Sequence, residues 1–339
     1  MSEPTSNSNG DAAATVSCII PLYNRAHMLE ACVDSVLRQT HRPLEIVLVD
    51  DGSQDETPAA AQRLADLHPG VVKFIRQENG GPGAARQTGL RHATGEFIQY
   101  LDSDDLLEPR KFELQVRRFR ECPDADVCYC ITLRQHAASG SERPWARTAE
   151  VIERIFPDFL IQRGWHTITP LWRKRIYDRF PGWSNLRAME DWEHDLKAGM
   201  AGAAVCQAAE PLARVIDHSG ERASGMGTGF TPQLTRNYFL AHESIWLEMR
   251  DRGLVDREYT EMFSRKLFWL ARLCGERGLR DEADRALSYA REMITPYRSS
   301  VGLRAFQTAT RCFGWPMTVR AAEAVRRLLK TPAGAAEKP

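Results

Sequence analysis

Nowhere in its 339 residues does the chain hold an unbroken apolar run of the roughly 18 or more residues that cross a bilayer. No membrane-spanning helix is therefore predicted. Met1 to Thr15 is rich in Ser, Asn, Ala and Gly and has no apolar core, which excludes a signal peptide and predicts a disordered leader over residues 1–14 and a cytoplasmic chain. Cys18, Cys32, Cys122, Cys128, Cys130, Cys206, Cys274 and Cys312 show no C-x-x-C spacing; buried free thiols are predicted, and neither a zinc site nor a disulfide framework. An excess of charge of either sign is also missing. Forty-five basic residues balance forty-five acidic ones, so no global field calls for nucleic acid or an acidic polymer, and a charged partner must be recognised locally.

What is present is an alternation of strands and helices. Val16–Ile20 is a β-branched run ending at Pro21, after which Met28, Leu29, Cys32, Val33, Val36 and Leu37 recur at helical spacing. Glu45–Val49 repeats the strand and closes at Asp50-Asp-Gly-Ser53; Thr57-Pro58 then starts a helix through Leu67. Val71–Ile75, a Gly-rich turn from Asn79, a helix through His92 and a strand over Glu96–Leu101 complete the pattern. It predicts an α/β fold with a mostly parallel, doubly wound sheet, whose ligands lie beyond the carboxyl ends of the strands. The polar clusters at Asp50, Asn79 and Asp102 all fall at such ends.

Further along, a helix from Pro109, a strand over Asp126–Leu133, a polar loop over Ala137–Arg147 and a helix over Ile152–Gln162 are expected. A loop or short strand over Gly164–Trp172, a helix opened by Met189-Glu-Asp191 and a bulged strand over Ala203–Arg214 follow. The length and pattern predict a catalytic domain over 15–224, a glycine hinge at Gly225–Gly229, and a helical appendage over 230–330 in which the helices around Leu273 and Leu287 pack as a hairpin.

The chemistry concentrates at strand ends. Asp102 and Asp104, one residue apart where an apolar strand stops abruptly, turn the same way only if the chain leaves the extended form there. Together they suit a hard octahedral cation, Mg2+ or Mn2+, bridging to a diphosphate; the alternative is a solvated loop of helix-capping aspartates. Asp50 and Asp51 offer acceptors to a uracil N–H or a ribose hydroxyl, against the alternative of an Asx-turn capping the next helix. In Asn79-Gly-Gly-Pro-Gly83, the small residues before Ala84 and Ala85 let a ligand approach the backbone, while Arg86 offers a planar cation to phosphate or ribose. The turn lacks the third glycine of a dinucleotide fingerprint, and no Walker sequence occurs.

Cys18-Ile-Ile-Pro-Leu-Tyr-Asn24, Val49-Asp-Asp-Gly-Ser53, Asn79 to Arg86, Leu101-Asp-Ser-Asp-Asp105 and Glu190-Asp191 stand in an order and spacing that resemble glycosyltransferase family 2, of GT-A fold. The resemblance covers roughly residues 15–224. It implies inverting, metal-dependent transfer from a nucleotide sugar, most often UDP-linked, to a saccharide or lipid-linked acceptor, as in assembly of a bacterial surface polysaccharide or glycolipid. By resemblance Pro21, Tyr23 and Asn24 line the base pocket, Asp51 holds the base and Asp102 touches the ribose. Asp50, Asn79, Gly83, Arg86, Ser103 and Glu190 complete the nucleotide-sugar contacts, Asp104 binds the metal, and Asp191 is the general base. His218, and Arg214 before it, resemble the segment where relatives place a histidine beside the metal or diphosphate, and neutral imidazole suits a metal ligand. Trp183 and Trp192 offer stacking faces to a sugar, against an equal alternative of core packing.

The chain also departs from that pattern. The processive members' Q-x-x-R-W signature is missing, which argues for addition of one or a few sugars, and Gly164–Asn185 matches no subgroup. A sugar nucleotidyltransferase would need a Gly-rich loop with a cation after the first strand, where Pro21-Leu-Tyr-Asn24 stands; an inactive nucleotide-binding module would not need Asp104 and Asp191. From Val301 to Lys330 six cations face one acid, Glu323, interleaved with aromatic and aliphatic residues. This predicts a basic amphipathic helix in peripheral contact with an anionic leaflet, or else a terminal helix docked on the appendage with a solvated basic face.

Overall fold

The computed structural model describes residues 14–136, 139–217, 229–295 and 300–330. The predicted leader, but for Ala14, lies outside these residues, as do His218 and all of the glycine hinge except Gly229. The chain divides into two compact units, Met1–Asn185 with Ala198–Ser219, and Leu186–Lys197 with Gly220–Pro339.

The first unit is built on a sheet. Its strands are β1 (Val16–Leu22), β2 (Leu44–Asp51), β3 (Val72–Gln77), β4 (Phe97–Tyr100), β5 (Leu106–Leu107), β6 (Val127–His136), β7 (Glu142–Pro144), β8 (Leu171–Arg173) and β9 (Val205–Asp217). The order is β3-β2-β1-β4-β8-β6-β9-β5, with β7 paired to β6. β3, β2, β1 and β4 are parallel neighbours and β6 pairs parallel with β9, whereas β8 runs antiparallel to both β4 and β6. The sheet is thus mixed, with a mostly parallel half that carries the strand-end motifs. Every residue of β2 is buried, as expected of a strand covered on both faces.

Helices α1 (Ala26–Leu37), α2 (Thr57–Leu67), α3 (Pro82–His92) and α4 (Lys111–Glu121) supply the crossovers. Gly89 of α3 brings that helix onto the sheet: a Cβ there would meet Ile19 Cγ2 at 2.2 Å. The expected bulge in β9 is present, since the β6–β9 register shifts on both sides of Ile131, which faces Pro211. A proline without an N–H cannot continue the ladder there.

Two expectations differ from the structure. Ile152–Gln162 forms no α-helix, only a short 3-10 turn at Asp158–Leu160. Pro157 stands in its middle, lacking an N–H and disfavouring a helical Phe156, and the helical spacing instead records Ile152, Ile155 and Phe159 filling the core. The polar loop over Ala137–Arg147 contains β7, which pairs with Leu133–Gln135. Among the cysteines, Cys18, Cys32, Cys128, Cys130, Cys206 and Cys274 are buried free thiols, Cys122 is half-buried and Cys312 is exposed.

The second unit is helical. It contains the first turns of α5 (Glu190–Met200), followed by α6 (Pro232–Asp251), α7 (Arg257–Glu276), α8 (Arg280–Ile294), α9 (Val301–Phe313) and α10 (Trp315–Lys330). Thr231 caps α6 by accepting from Leu234 N–H at 3.2 Å, with proline in the first turn. The predicted hairpin is α7 with α8, closed by Phe263, Leu267, Leu270, Leu287 and Met293 and by the bond from Ser264 Oγ to Ala290 O at 2.8 Å. The single terminal helix expected over 301–330 is two helices parted at Gly314, whose φ of 76° suits a residue without a Cβ. No helix among the described residues is long and apolar enough to cross a membrane.

Candidate active site

Because β1, β2 and β4 are parallel, the loops that leave them emerge at one edge, and side chains lock them together. Asn24, in the left-handed region at φ 53°, receives no strain penalty comparable to that of a branched residue. Its N–H donates to Ser53 Oγ at 2.9 Å and its Oδ1 accepts from Gln54 N–H at 2.9 Å. Thr57, expected as the N-cap of α2, is its first residue; Glu56 stands at the N-cap without a side-chain capping bond, and Thr57 Oγ1 instead accepts from Arg25 N–H at 2.8 Å, tying the loops together. Beside this knot Tyr23 is 48% exposed, and Pro21, half-buried, sits opposite Val49 in the β1–β2 register.

The adjacent carboxylates of Asp50 and Asp51 are separated by the pleat. Asp50 is fully buried; its Oδ1 accepts from Ser53 N–H at 3.2 Å and its Oδ2 lies 3.2 Å from Arg76 Nε, which forms the Asx-turn alternative. Asp51 faces the Gly-rich turn. Its Oδ1 accepts from Gln77 Nε2 and Gly80 N–H and its Oδ2 from Gly81 N–H, each at 2.8 Å, while its carbonyl accepts from Asn79 Nδ2 at 2.9 Å. A carboxylate has about four lone-pair directions, so this cradle leaves capacity for one further donor such as a base N–H. Gly52 permits the approach: its φ is 76°, and a Cβ would meet Asn79 N at 3.0 Å.

The Gly81 turn delivers Pro82 and Gly83 into the first turn of α3, where Gly83 is buried. One turn on, Arg86 does not present an exposed guanidinium. Its side chain is 5% exposed, it donates to Asp102 Oδ1 at 2.7 Å, and its Cζ lies 4.6 Å from the centroid of the Trp183 ring. Trp183 in turn donates its backbone N–H to Gln87 Oε1 at 2.8 Å and meets Tyr100 edge-on at 4.8 Å. Burial pushes the Tyr100 hydroxyl well above its ordinary range, and that hydroxyl donates to or accepts from Tyr177 at 2.9 Å. Arg86 therefore orients Asp102, and Trp183 covers Arg86.

Beyond β4 the chain leaves the extended form at Asp102, and Asp105 N–H donates to Asp102 O at 3.0 Å. Ser103 is buried and Asp104 half-buried. Asp105 is 2% exposed; Oδ1 accepts from Ile216 N–H at 3.0 Å in β9 and Oδ2 lies 3.7 Å from His166 Nδ1. His166 is held by Trp145, edge-on at 5.1 Å, and by its N–H donating to Thr169 Oγ1 at 3.2 Å. Among the described residues, Asp102, Asp105 and His166 are the group whose ligand atoms all lie within 4.8 Å of one another; Asp104 is not in it.

Two carboxylates and an imidazole form a donor set that suits a divalent cation with mixed oxygen and nitrogen ligands. The local field agrees. Burial raises the Cys32 thiol, and the charges of Cys18, Asp105, Asp104 and Asp102 raise it further, so the negative potential a cation needs is present. His166 had no spacing signal in the sequence; only its place in the unassigned Gly164–Trp172 stretch pointed to it. Arg214, in β9, is engaged by Glu108 and Glu142.

In the second unit, Glu190 and Asp191 open α5 as expected. Met189 before them has φ 64°, a costly conformation for a bulky residue; its carbonyl accepts from Glu193 N–H at 2.9 Å. Glu190 is buried, whereas Asp191 is half-buried and its Oδ1 accepts from Trp192 N–H at 2.7 Å. Burial and then the Asp191 charge raise the Tyr238 hydroxyl. Trp192 is buried against His242, with ring centroids 4.7 Å apart, which favours core packing over sugar stacking.

Comparison with known proteins agrees with this architecture. The sequence profile of glycosyl transferase family 2 matches residues 17–180. Chondroitin synthase of Escherichia coli is 44% identical over 106 residues, 31% of this chain and 15% of that protein. Glycosyltransferase GlyA of Streptococcus pneumoniae is 35% identical over 106 residues, again 31% and 15%. The matched stretch spans at most 35% of the length of these and the other curated relatives it resembles. Among solved structures, S. aureus TarS in complex with UDP-GlcNAc superposes with a TM-score of 0.68 at 18% identity, over 92% of either chain. The mannosyltransferase PcManGT of Pyrobaculum calidifontis, in complex with GDP-Man and Mn2+, gives 0.51 at 18% identity, over 95% of this chain and 89% of that one. Residues 17–180, just under half of this chain, thus match glycosyl transferase family 2, and the mixed sheet has the GT-A fold.

Proposed function

We propose that this chain transfers a sugar from a nucleoside-diphosphate donor, UDP-linked as its first choice, to an acceptor hydroxyl with inversion at the sugar carbon. In this reading 15–224 is the catalytic domain and 230–330 a helical appendage. The reaction takes place in the cytoplasm, on a saccharide or lipid-linked acceptor of a surface polysaccharide or glycolipid. The observation that carries it is the meeting at one sheet edge of the Asn24–Ser53 knot, the Asp51-cradled glycine turn and the Asp102–Asp105–His166 group. The UDP-GlcNAc held by TarS and the GDP-Man with Mn2+ held by PcManGT support the donor class.

Pro21, Tyr23 and Asn24 would line the base, Asp51 would accept its N–H, and Asp102, oriented by Arg86, the ribose. Asp50, Asn79, Gly83 and Ser103 would shape the pocket and the turn. Asp102, Asp105 and His166 would hold a Mn2+ or Mg2+ ion, with Asp104 the metal ligand that the family resemblance assigns; when bound, the ion neutralises charge on the departing diphosphate. His218 remains a further candidate ligand. A sugar hydroxyl is a poor nucleophile, so Asp191 takes its proton as it attacks the anomeric carbon opposite the leaving group; one displacement inverts the centre.

The test is a panel of nucleotide sugars with Mn2+, recording diphosphate release with and without saccharide acceptors. Release from one donor, lost in Asp104→Ala and His166→Ala, is the expected result. Pyrophosphate formation from UTP and a sugar phosphate would instead make the protein a nucleotidyltransferase, and nucleotide binding without turnover of any donor would make it a binding module.

A further inference from the structure

We propose that the outer face of α9 and α10 is a docking surface for an anionic lipid bilayer. The inner face of this pair is already used. Trp315 is buried, donates from Nε1 to Asp284 Oδ1 at 3.1 Å, and fills the notch left by Gly275, where a Cβ would lie 2.5 Å from its ring. Thr318 and Val319 are buried beside it, and Phe306 meets Trp315 at 5.8 Å. The opposite face holds what a folded protein normally hides. Phe313 is 65% exposed and Met317 62% exposed, on either side of the corner at Gly314.

The charge of these two helices selects the partner. Arg304, Arg311 and Arg320 are exposed, and among the described residues none has a carboxylate within ion-pairing distance. The one acid of the segment, Glu323, is engaged by Arg272 at 2.7 Å, so it does not offset them. Across 301–330 the sequence carries six cations against that single acid, in a chain of zero net charge. Two bulky apolar side chains at a helix corner, on a helix pair whose exposed arginines have no ion-pairing carboxylate among the described residues, match the boundary between acyl chains and anionic headgroups. A second copy of the same face would meet arginines with arginines, which disfavours self-association.

Cosedimentation of the full chain with phosphatidylcholine vesicles, with and without phosphatidylglycerol, tests this. Binding is expected only to vesicles that contain phosphatidylglycerol, weakening as salt is raised. Each of Arg304→Gln, Arg311→Gln and Arg320→Gln should weaken it about five-fold, and Phe313→Asp with Met317→Asp by at least about ten-fold. These positions are exposed, so far-UV circular dichroism and the thermal midpoint should match the parent. Equal binding to neutral vesicles, no binding to anionic ones, or unaltered binding by the variants would overturn the proposal. So would a dimer in solution that dissociates in Phe313→Asp/Met317→Asp, since a second copy would then occupy the face. Diphosphate release measured without vesicles is independent of every one of these outcomes.

Discussion

The sheet-edge loops of the first unit and the packed helices of the second are held by different means. At the edge, Asn24, Asp50, Asp51, Arg86 and Asp105 each meet a specific partner through a directed bond. In α6, α7 and α8, the buried set of Phe239, Ile245, Phe263, Leu267, Leu270 and Leu287 is joined by area and volume, in which one hydrophobe of similar size replaces another. Substitution at the edge should therefore alter binding and chemistry more than stability, and substitution among the helices the reverse.

That contrast is most exposed to failure at Asp191, a residue of the helical unit to which the proposed reaction assigns the acceptor's proton. Asp191→Asn should lower kcat for sugar transfer by about 10²- to 10⁴-fold and leave the thermal midpoint where it is. A large fall in stability with kcat retained would return Asp191 to a purely structural helix start. Trp315→Ala tests the other side. Emptying the notch over Gly275 should cost about 3–5 kcal/mol in urea denaturation, with diphosphate release at a permissive temperature close to the parent's.

A third prediction concerns acid. Burial, with Lys266 nearby, holds the His242 imidazole down at about 4, against about 6.5 in an unfolded chain. Between those values the unfolded chain binds the proton and the folded one does not, so stability falls as pH drops from about 6.5 to about 4. The loss should reach about 3 kcal/mol. His242→Phe, which keeps a ring against Trp192 and Phe263, should flatten that part of a denaturation-versus-pH curve. Smallest is Arg76→Ala. Arg76 is largely exposed, yet it is the cation beside the buried Asp50, and a loss of about 1 kcal/mol is expected after solvent screening. Calorimetry at neutral pH would register it, and a shift in donor specificity would not accompany it.

Much of the fold was legible. The helix expected over Thr57–Leu67 has those same ends, because Pro58 fixes its first turn and Ala60, Ala61 and Leu64 recur on one face. The bulge expected within Ala203–Arg214 is present, at Pro211. Ile152–Gln162 misled because apolar side chains at helical spacing serve equally to fill a core from an irregular segment. At the site, the twin aspartates that end β2 both read as acceptors, with the base given to Asp51; the pleat sends Asp50 inward to Arg76 and Asp51 to the glycine turn.

By itself the sequence determined the alternation of strands and helices, the strand-end position of its acidic and glycine motifs, and the family they resemble. These follow from periodicity and from residue types whose backbone demands are local. Only the tertiary structure decided that Asp105 faces His166, that Arg86 is turned onto Asp102 beneath Trp183, and that Phe313 and Met317 remain uncovered. Each depends on elements distant in the chain being brought together by packing, and no local pattern encodes which side chain will arrive on the other side.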